Sequence, residues 1–311
     1  MSALSLLSIV IPVFNEEDAL PLMKARLDKV LPSLGRPCEI ILIDDGSRDR
    51  TRQIIKELAA SSSAYKAIVL SRNYGHQIAL TAGLDFARGD AVVVMDADLQ
   101  DPPELIIEML KKWKEGNHVV YGKRLVRHGE TFAKKITAAI FYQLLRLLSG
   151  YDIPQNTGDF RLMDRKVVDA LKKMPEKFRF VRGMVAWAGF RQCSILFERP
   201  PRVAGITKYS WGRMFRFAFD AIFSFSVVPL RLAMYLGVAV MGVTTMLVAR
   251  ILYLHIVKDS VIPGFTALFI LIAFLGGINL MVAGILGEYI GRIYVESKAR
   301  PLYFVEEIVS Q

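Results

Sequence analysis

The chain has 311 residues, enough for one sizeable core and one or two domains. Its 53% hydrophobic content and mean hydropathy of +0.34 are high for a soluble protein, which puts part of the chain in a membrane. A formal charge of +10 calls for an anionic partner. No nucleic-acid motif interleaves with the basic residues, so anionic lipid and phosphorylated substrates explain the charge better than nucleic acid. Only two cysteines, Cys38 and Cys193, argue against a disulfide framework or a zinc site.

The first hundred residues alternate strand-like and helix-like patterns. Leu4–Phe14 is too short for a secretory leader and lacks a basic start. Within it Ser8–Val13 reads as a buried strand, running into Asn15-Glu16-Glu17-Asp18. Asp18–Leu31 predicts a helix with Leu20, Met23, Leu27 and Val30 on one face. Glu39–Ile43 is a second strand, Thr51–Ala60 a helix, Ala67–Leu70 a third strand and Gln77–Ala87 a helix of small residues. Ala91–Met95 is a fourth strand and Pro103–Glu115 another helix. Apolar strands alternating with helices predict an α/β layer around a mostly parallel sheet. In such sheets ligands collect at the carboxyl ends of strands. Pro12, Asp44, Asp45, Asp96 and Asp98 all fall at such ends.

The strongest chemical signal is Asp96-Ala97-Asp98-Leu99-Gln100. If the backbone stays extended, Asp96, Asp98 and Gln100 share one side and offer hard oxygen ligands. Those suit Mg²⁺ or Mn²⁺ carrying a diphosphate. A solvated turn or helix cap before Pro102-Pro103 is the plain alternative. In Asp44-Asp45-Gly46-Ser47, short acidic side chains can accept hydrogen bonds from a base or a ribose, while Asp49 reads as an N-cap for the next helix. Asn156-Thr-Gly-Asp159-Phe-Arg161 is a polar island in which Asp159 is either a general base or the partner of Arg161. Arg199, Arg202 and Lys208 surround a glycine-containing loop and suit phosphate oxygens, or anionic lipid in general. His76, His118, His128 and His255 lack metal-ligand spacing and read as incidental.

The second half is different. Thr131–Ser149 and Ser210–Ser226 are basic, aromatic and amphipathic, the pattern of interfacial helices. Leu232–Ala249 and Phe265–Gly287 are uncharged over 18 and 23 residues, close to the ~20 needed to span ~30 Å of hydrocarbon. Basic residues cluster before the first and after the second, which puts both ends of the hairpin on the cytoplasmic side. The resulting division is a catalytic domain over 1–209, with an interfacial helix at about 131–149, and a juxtamembrane helix over 210–226. A transmembrane hairpin follows over 227–292, with spans at about 229–254 and 265–290, then a cytoplasmic tail over 293–311. In the tail, Leu302–Val305 reads as a short strand able to pair with a sheet edge or another subunit.

Four segments together carry a family resemblance: Ile11-Pro-Val-Phe-Asn-Glu16, Ile43-Asp-Asp-Gly-Ser47, Asp96-Ala-Asp-Leu-Gln-Asp-Pro-Pro103 and Arg202-Val-Ala-Gly-Ile-Thr-Lys208. The chain resembles the inverting family-two glycosyltransferases of the GT-A fold, and within them the polyprenyl-phosphate glycosyltransferases. That resemblance implies a Rossmann-like GT-A domain with Pro12, Phe14, Glu16, Asp45, Asp96, Ala97 and Arg124 around the nucleotide sugar. It implies a Mg²⁺ or Mn²⁺ ion on Asp96, Asp98 and Gln100, Asp159 in the position of the catalytic base, and Arg199, Arg202 and Lys208 on lipid phosphate or diphosphate. It further implies transfer of one hexose, glucose first, from a UDP-sugar to undecaprenyl phosphate at the cytoplasmic membrane, by a homo-oligomer (a tetramer) with a flippase as partner. GDP-mannose, a UDP-N-acetylhexosamine, a UDP-aminoarabinose derivative, or a noncatalytic scaffold of the same fold are the alternatives.

Overall fold

The computed structural model describes residues 6–125, 157–198, 228–258 and 264–311. It divides into two units, one of residues 1–215 with 301–311 and one of residues 216–300. The interfacial helices expected at 131–149 and 210–226, and the basic residues Arg199, Arg202 and Lys208, lie outside the described residues.

The first unit is built on an eight-stranded sheet. In chain order its strands are β1 (Leu7–Val13), β2 (Cys38–Asp44), β3 (Tyr65–Leu70), β4 (Ala91–Val94), β5 (Val119–Arg124), β6 (Thr157–Asp164), β7 (Gln192–Phe197) and β8 (Val305–Val309). Their order across the sheet is β7-β5-β6-β4-β1-β2-β3-β8. Strands β3, β2, β1 and β4 run parallel, as their continuous apolar runs require. β6 is antiparallel to both β4 and β5, β7 runs parallel to β5, and β8 closes the other edge antiparallel to β3.

Two consequences fix where ligands can sit. β1 pairs with β4 only as far as Val10↔Val94, although Met95 still donates its N–H to the Val10 carbonyl. The next residue of β1 facing that way is Pro12, which has no N–H to continue the ladder. The sheet therefore opens between β1 and β4, where its strand order reverses, the place at which such sheets receive ligands. Because β6 alone of the central strands is reversed, its first residues, Thr157 to Asp159, lie at the edge where β1, β2, β4 and β5 end.

The helices of this unit are α1 (Ala19–Val30), α2 (Thr51–Ser61), α3 (His76–Phe86), α4 (Ile106–Lys114), α5 (Arg165–Lys172) and α6 (Val181–Trp187). Leu20, Met23 and Leu27 of α1, Ile55 of α2 and Ile106 and Met109 of α4 pack in one cluster with Leu7, Ile9 and Ile11 of β1. Alternation puts Val10 on the opposite face, and there α3 covers the sheet. Contact is closest at Gly83, where a Cβ would stand 2.2 Å from Val10 Cγ1 and 2.7 Å from Ile43 Cδ1.

Element boundaries differ from the sequence pattern by a residue or two. The larger differences have physical reasons. Pro103–Leu105 is a 3-10 turn before α4, because Pro102 and Pro103 cannot join an α-helical ladder from within. The island around Asp159 is no loop but the start of β6, buried along almost its whole length. The strand in the tail is Val305–Val309 rather than Leu302–Val305, and it pairs with β3 of its own chain. Arg52–Glu306 at 2.6 Å, Lys56–Glu307 and the Tyr303 hydroxyl on Asp85 at 3.0 Å hold it there.

The second unit consists of α7 (Val228–Lys258) and α8 (Phe265–Ser297). Each holds a stretch long and apolar enough to cross a membrane, Val228–Leu247 and Phe274–Ser297. Many of their described apolar side chains are uncovered, with Leu280 77% and Met246 74% exposed. Water does not tolerate apolar surface on that scale, so the chain is membrane-associated.

The Gly83 contact yields a test. Gly83→Ala should cost about 1–3 kcal/mol by overpacking. Combining it with Val10→Ala should cost less than the two separate penalties together, as read from denaturant unfolding by tryptophan fluorescence.

Candidate functional site

Three loops at the carboxyl edge form the first part of the site. Asn15, at φ 54°, donates its N–H to Ser47 Oγ and accepts from Arg48 N–H, and Glu16 N–H bonds to Thr51 Oγ1. These bonds tie the loop after β1 to the loop after β2. Asp44 and Asp45 then take different tasks. Asp44 accepts from Ser47 N–H, closing its own turn. Asp45 accepts from Tyr74 N–H at 2.7 Å and Gly75 N–H at 2.9 Å, which fixes the loop after β3 and the entry to α3. Burial raises both carboxyls, while these backbone donors pull them back. Gly46 follows them at φ 71°, and a Cβ there would stand 2.6 Å from the Arg72 and Asn73 backbone, so only glycine lets the loops meet.

A cavity of about 550 Å³ opens beside these loops. Phe14, Ser47, Arg48, Arg52, Arg72 and Glu306 are among its lining residues. Its cations, hydroxyls and one aromatic face suit a nucleotide-sized anion. Phe14, expected near the nucleotide sugar from the family resemblance, lines this cavity, whereas Glu306 arrives from β8 and could not be assigned from local pattern.

The second part is acidic. β4 ends at Val94, and the chain then turns, with Leu99 in the left-handed region at φ 61°. The extended geometry expected through Gln100 therefore does not persist, and a bulky residue at positive φ is a strained conformation of the kind found at functional sites. Asp98 Oδ1 caps the turn by accepting from Gln100 N–H, and Asp101 Oδ2 accepts from Asp96 N–H. The carboxylates converge on Asp101, which is almost fully buried. Its pKa is raised to about 8, first by burial and then by the charge of Asp96, with Asp98 adding and Arg124 opposing. Asp101 Oδ1 is buried without a hydrogen-bond partner among the described residues.

Among the described residues no three His, Cys, Asp or Glu side chains form a ready-made metal cage. Crowded carboxylates with one orphaned buried oxygen nevertheless have the donor chemistry of a hard divalent ion. Such ions are commonly held by one or two carboxylates together with substrate phosphates.

The third part centres on Asp159. Its Oδ2 accepts from Gln77 Nε2 at 2.9 Å and lies 3.2 Å from His76 Nε2, and its Oδ1 is 3.0 Å from Arg182 Nε. Arg161 donates to backbone carbonyls, Nε to that of Asp159 and Nη2 to that of Gly158. Asp159 is thus not simply the partner of Arg161. Burial alone would raise its pKa, but Arg182, His76 and Arg161 together hold it far below the usual carboxylate range. The imidazole of His76 is raised to about 9 in spite of desolvation, by its bond to Asp159 and the charges of Asp96 and Asp159. His76 Nε2 is also 3.6 Å from Asp96 Oδ1.

The structure therefore joins Asp96, Asp98, Arg124 and Asp159 into one electrostatic neighbourhood. It adds His76, Gln77, Asp101 and Arg182, which sequence reading missed. The available signal was weak: Gly75-His76-Gln77 stands at the mouth of a strand-to-helix turn.

Residues 8–172 match the family model described as Glycosyl transferase family 2. The uncharacterised glycosyltransferase YkcC of Bacillus subtilis (strain 168) is 49% identical over 300 residues, covering 96% of this chain and 93% of that protein. The bactoprenol glucosyl transferase of Shigella phage SfV is 40% identical over 300 residues, covering 96% and 98%. Among solved structures, glucosyl-3-phosphoglycerate synthase from Mycobacterium tuberculosis, in complex with Mn²⁺, UDP and phosphoglyceric acid, aligns at 19% identity and a TM-score of 0.47, covering 70% of this chain and 76% of that one.

The charges make two opposite stability predictions. Asp159→Ala leaves the side-chain donors of Gln77, His76 and Arg182 without the acceptor they share and should cost about 3–5 kcal/mol. Asp98→Asn keeps the turn bond while removing one repelling charge, so in metal-free buffer it should stabilise by about 0.5–1 kcal/mol. Melting of the two variants at neutral pH, beside the wild type, checks both signs.

Proposed function

The chain belongs to glycosyltransferase family 2, and from that premise we propose that it transfers a single glucose from UDP-glucose to undecaprenyl phosphate, inverting the anomeric centre, at the cytoplasmic face of the membrane. The observation that carries this reading is the acidic cluster of Asp96, Asp98 and Asp101 set beside Arg124 and the Asp159 network, where β1 and β4 part. Full-length relatives named for glucosyl transfer to bactoprenol favour that lipid class and that sugar.

In this reading the cavity around Phe14, Ser47 and Arg72 takes the nucleoside, with Pro12, Glu16 and Asp45 on the strand ends and loops behind it. Asp96 and Ala97 border the sugar, and Arg124 meets the diphosphate. Asp96, Asp98 and Gln100 would hold Mg²⁺ or Mn²⁺, which when bound neutralises the departing diphosphate as a Lewis acid. Arg199, Arg202 and Lys208 would meet the lipid phosphate. That phosphate has its second pKa near ~6 and is already largely dianionic at neutral pH. It attacks C1 without first losing a proton, so Asp159 acts by holding its cations in place.

Topology is supported by connectivity. β8 follows α8 in the chain yet pairs with β3 of the same sheet as β1, which supports a membrane segment entered and left from the side of the first unit. Two crossings agree with that connectivity, and the basic flanks favour the cytoplasm for that side.

Purified protein with undecaprenyl phosphate and a panel of nucleotide sugars provides the main test. UDP-glucose should give an acid-labile glucolipid and UDP. Preference for another donor would overturn the sugar, transfer to a different acceptor would overturn the lipid, and absence of metal-dependent UDP release would favour the scaffold alternative. Asp98→Ala should lower turnover at least about 100-fold. Asp159→Asn should lower it about 10- to 100-fold, with no recovery between about pH 6 and pH 9. Asp159 is ionised throughout that window, so its titration adds no limb to the profile; recovery at high pH would instead identify it as a base.

A further inference from the structure

His76 is the first residue of α3, set by the backbone N–H bonds of Tyr74 and Gly75 to Asp45. Its Nε2 stands between two carboxylates, one on β6 and one in the turn after β4, 3.2 Å from Asp159 Oδ2 and 3.6 Å from Asp96 Oδ1. Asp159 itself is held at both oxygens. Gln77 Nε2 bonds to it while Gln77 Oε1 accepts from Val181 N–H at 2.9 Å, and Arg182, next on α6, pairs with the other oxygen. Four segments, at the starts of α3, α6 and β6 and the end of β4, therefore meet around one imidazole. Nε2 carries at most one hydrogen, and the shorter distance directs it to Asp159, leaving Asp96 in electrostatic contact with the same ring edge.

We propose that His76 is a positioning residue that ties the Asp96 carboxylate to the doubly held Asp159, holding the donor-side acid in register with the buried network of α6. This rests on the transferase reading above and deepens it. It assigns His76 no proton transfer. The nucleoside cavity is lined by other side chains, so the tie governs how the reacting sugar is presented and leaves nucleotide affinity largely unchanged.

The experiment compares His76→Ala, His76→Gln, Asp159→Asn and the His76→Ala/Asp159→Asn double variant in the full-length detergent-solubilised protein. Calorimetric binding of UDP in Mn²⁺ is measured beside steady-state turnover. His76→Ala should lower kcat at least about 30-fold while UDP affinity and donor KM stay within about threefold of wild type. His76→Gln, which keeps an N–H donor at comparable reach, should recover at least about tenfold of the loss. In the Asp159→Asn background, His76→Ala should cost no more than about a further threefold, because both changes cut the same tie. Parallel loss of UDP affinity and turnover, no rescue by glutamine, or multiplying penalties would each overturn the proposal. Wild-type protein inactive with UDP-glucose but active with another donor would sink the sugar assignment alone, and His76 is then measured with that donor and its nucleoside diphosphate. Thermal melting of the same four proteins needs no turnover: non-additive shifts are expected, and additive ones overturn the tie.

Discussion

Everything at this site follows from crowding carboxylates where a parallel sheet opens. Asp96, Asp98, Asp101 and Asp159 would repel one another and resist burial if left alone. The fold answers in two ways. Around Asp159 the cations are built in, from Arg182, Arg161 and His76, and the carboxylate stays ionised although buried. Around Asp101 the compensation is incomplete, with Arg124 opposing two acidic neighbours, and the carboxyl is driven up to about 8. One cluster is electrostatically closed and the other lacks positive charge, and the deficient one is where a cationic ligand gains most.

This division of labour also explains the connectivity around it. The closed cluster draws on α3, β6 and α6, which are far apart in sequence, and each contribution is fixed by backbone bonds. Asp45 holds the turn into α3, and Gln77 holds the first turn of α6. The open cluster sits on a single short loop whose strain at Leu99 is local. Rigidity is concentrated on the side that must not change its charge, and the strained turn on the side that must accept a ligand.

Legibility in the sequence tracks how local the cause is. The strands β1 to β4 and the helices between them are written in apolar runs and 3.6-residue periodicity, so their existence and parallel packing could be read directly. The pairs Asp44/Asp45 and Asp96/Asp98 were legible because buried strands rarely end in carboxylates. β6 was not, since Thr-Gly-Asp-Phe-Arg-Leu-Met-Asp carries an acid and a base that look like loop residues until distant partners bury them. His76 likewise looked incidental, because its significance depends on Asp159, 83 positions later, and on Arg182 beyond it. Asp101 hid inside a motif read for its metal-ligand spacing, and only burial reveals how strongly its neighbours' charges act on it. The tail strand was misplaced by a few residues because Leu302 to Val305 is more apolar than the segment that pairs, whose Glu306 and Glu307 find cations on α2.

A buried carboxylate with a depressed pKa is the wrong instrument for proton abstraction and the right one for fixing cations. Efficient general bases titrate near the working pH, and Asp159 has been pushed the opposite way by Arg182, His76 and Arg161. In the proposed reaction a phosphate monoester nucleophile removes the need for such a base, since it arrives with its negative charge already developed. The difficulty there is to bring a dianion up to a diphosphate donor, which demands positive charge that stays in place as the bond forms. Arg182 and His76 cannot follow substrate charge outward while Asp159 holds them, so their field is set before anything binds. A site organised this way resists reorganisation more than it moves protons, which is how a protein lowers a barrier dominated by the repulsion of like charges.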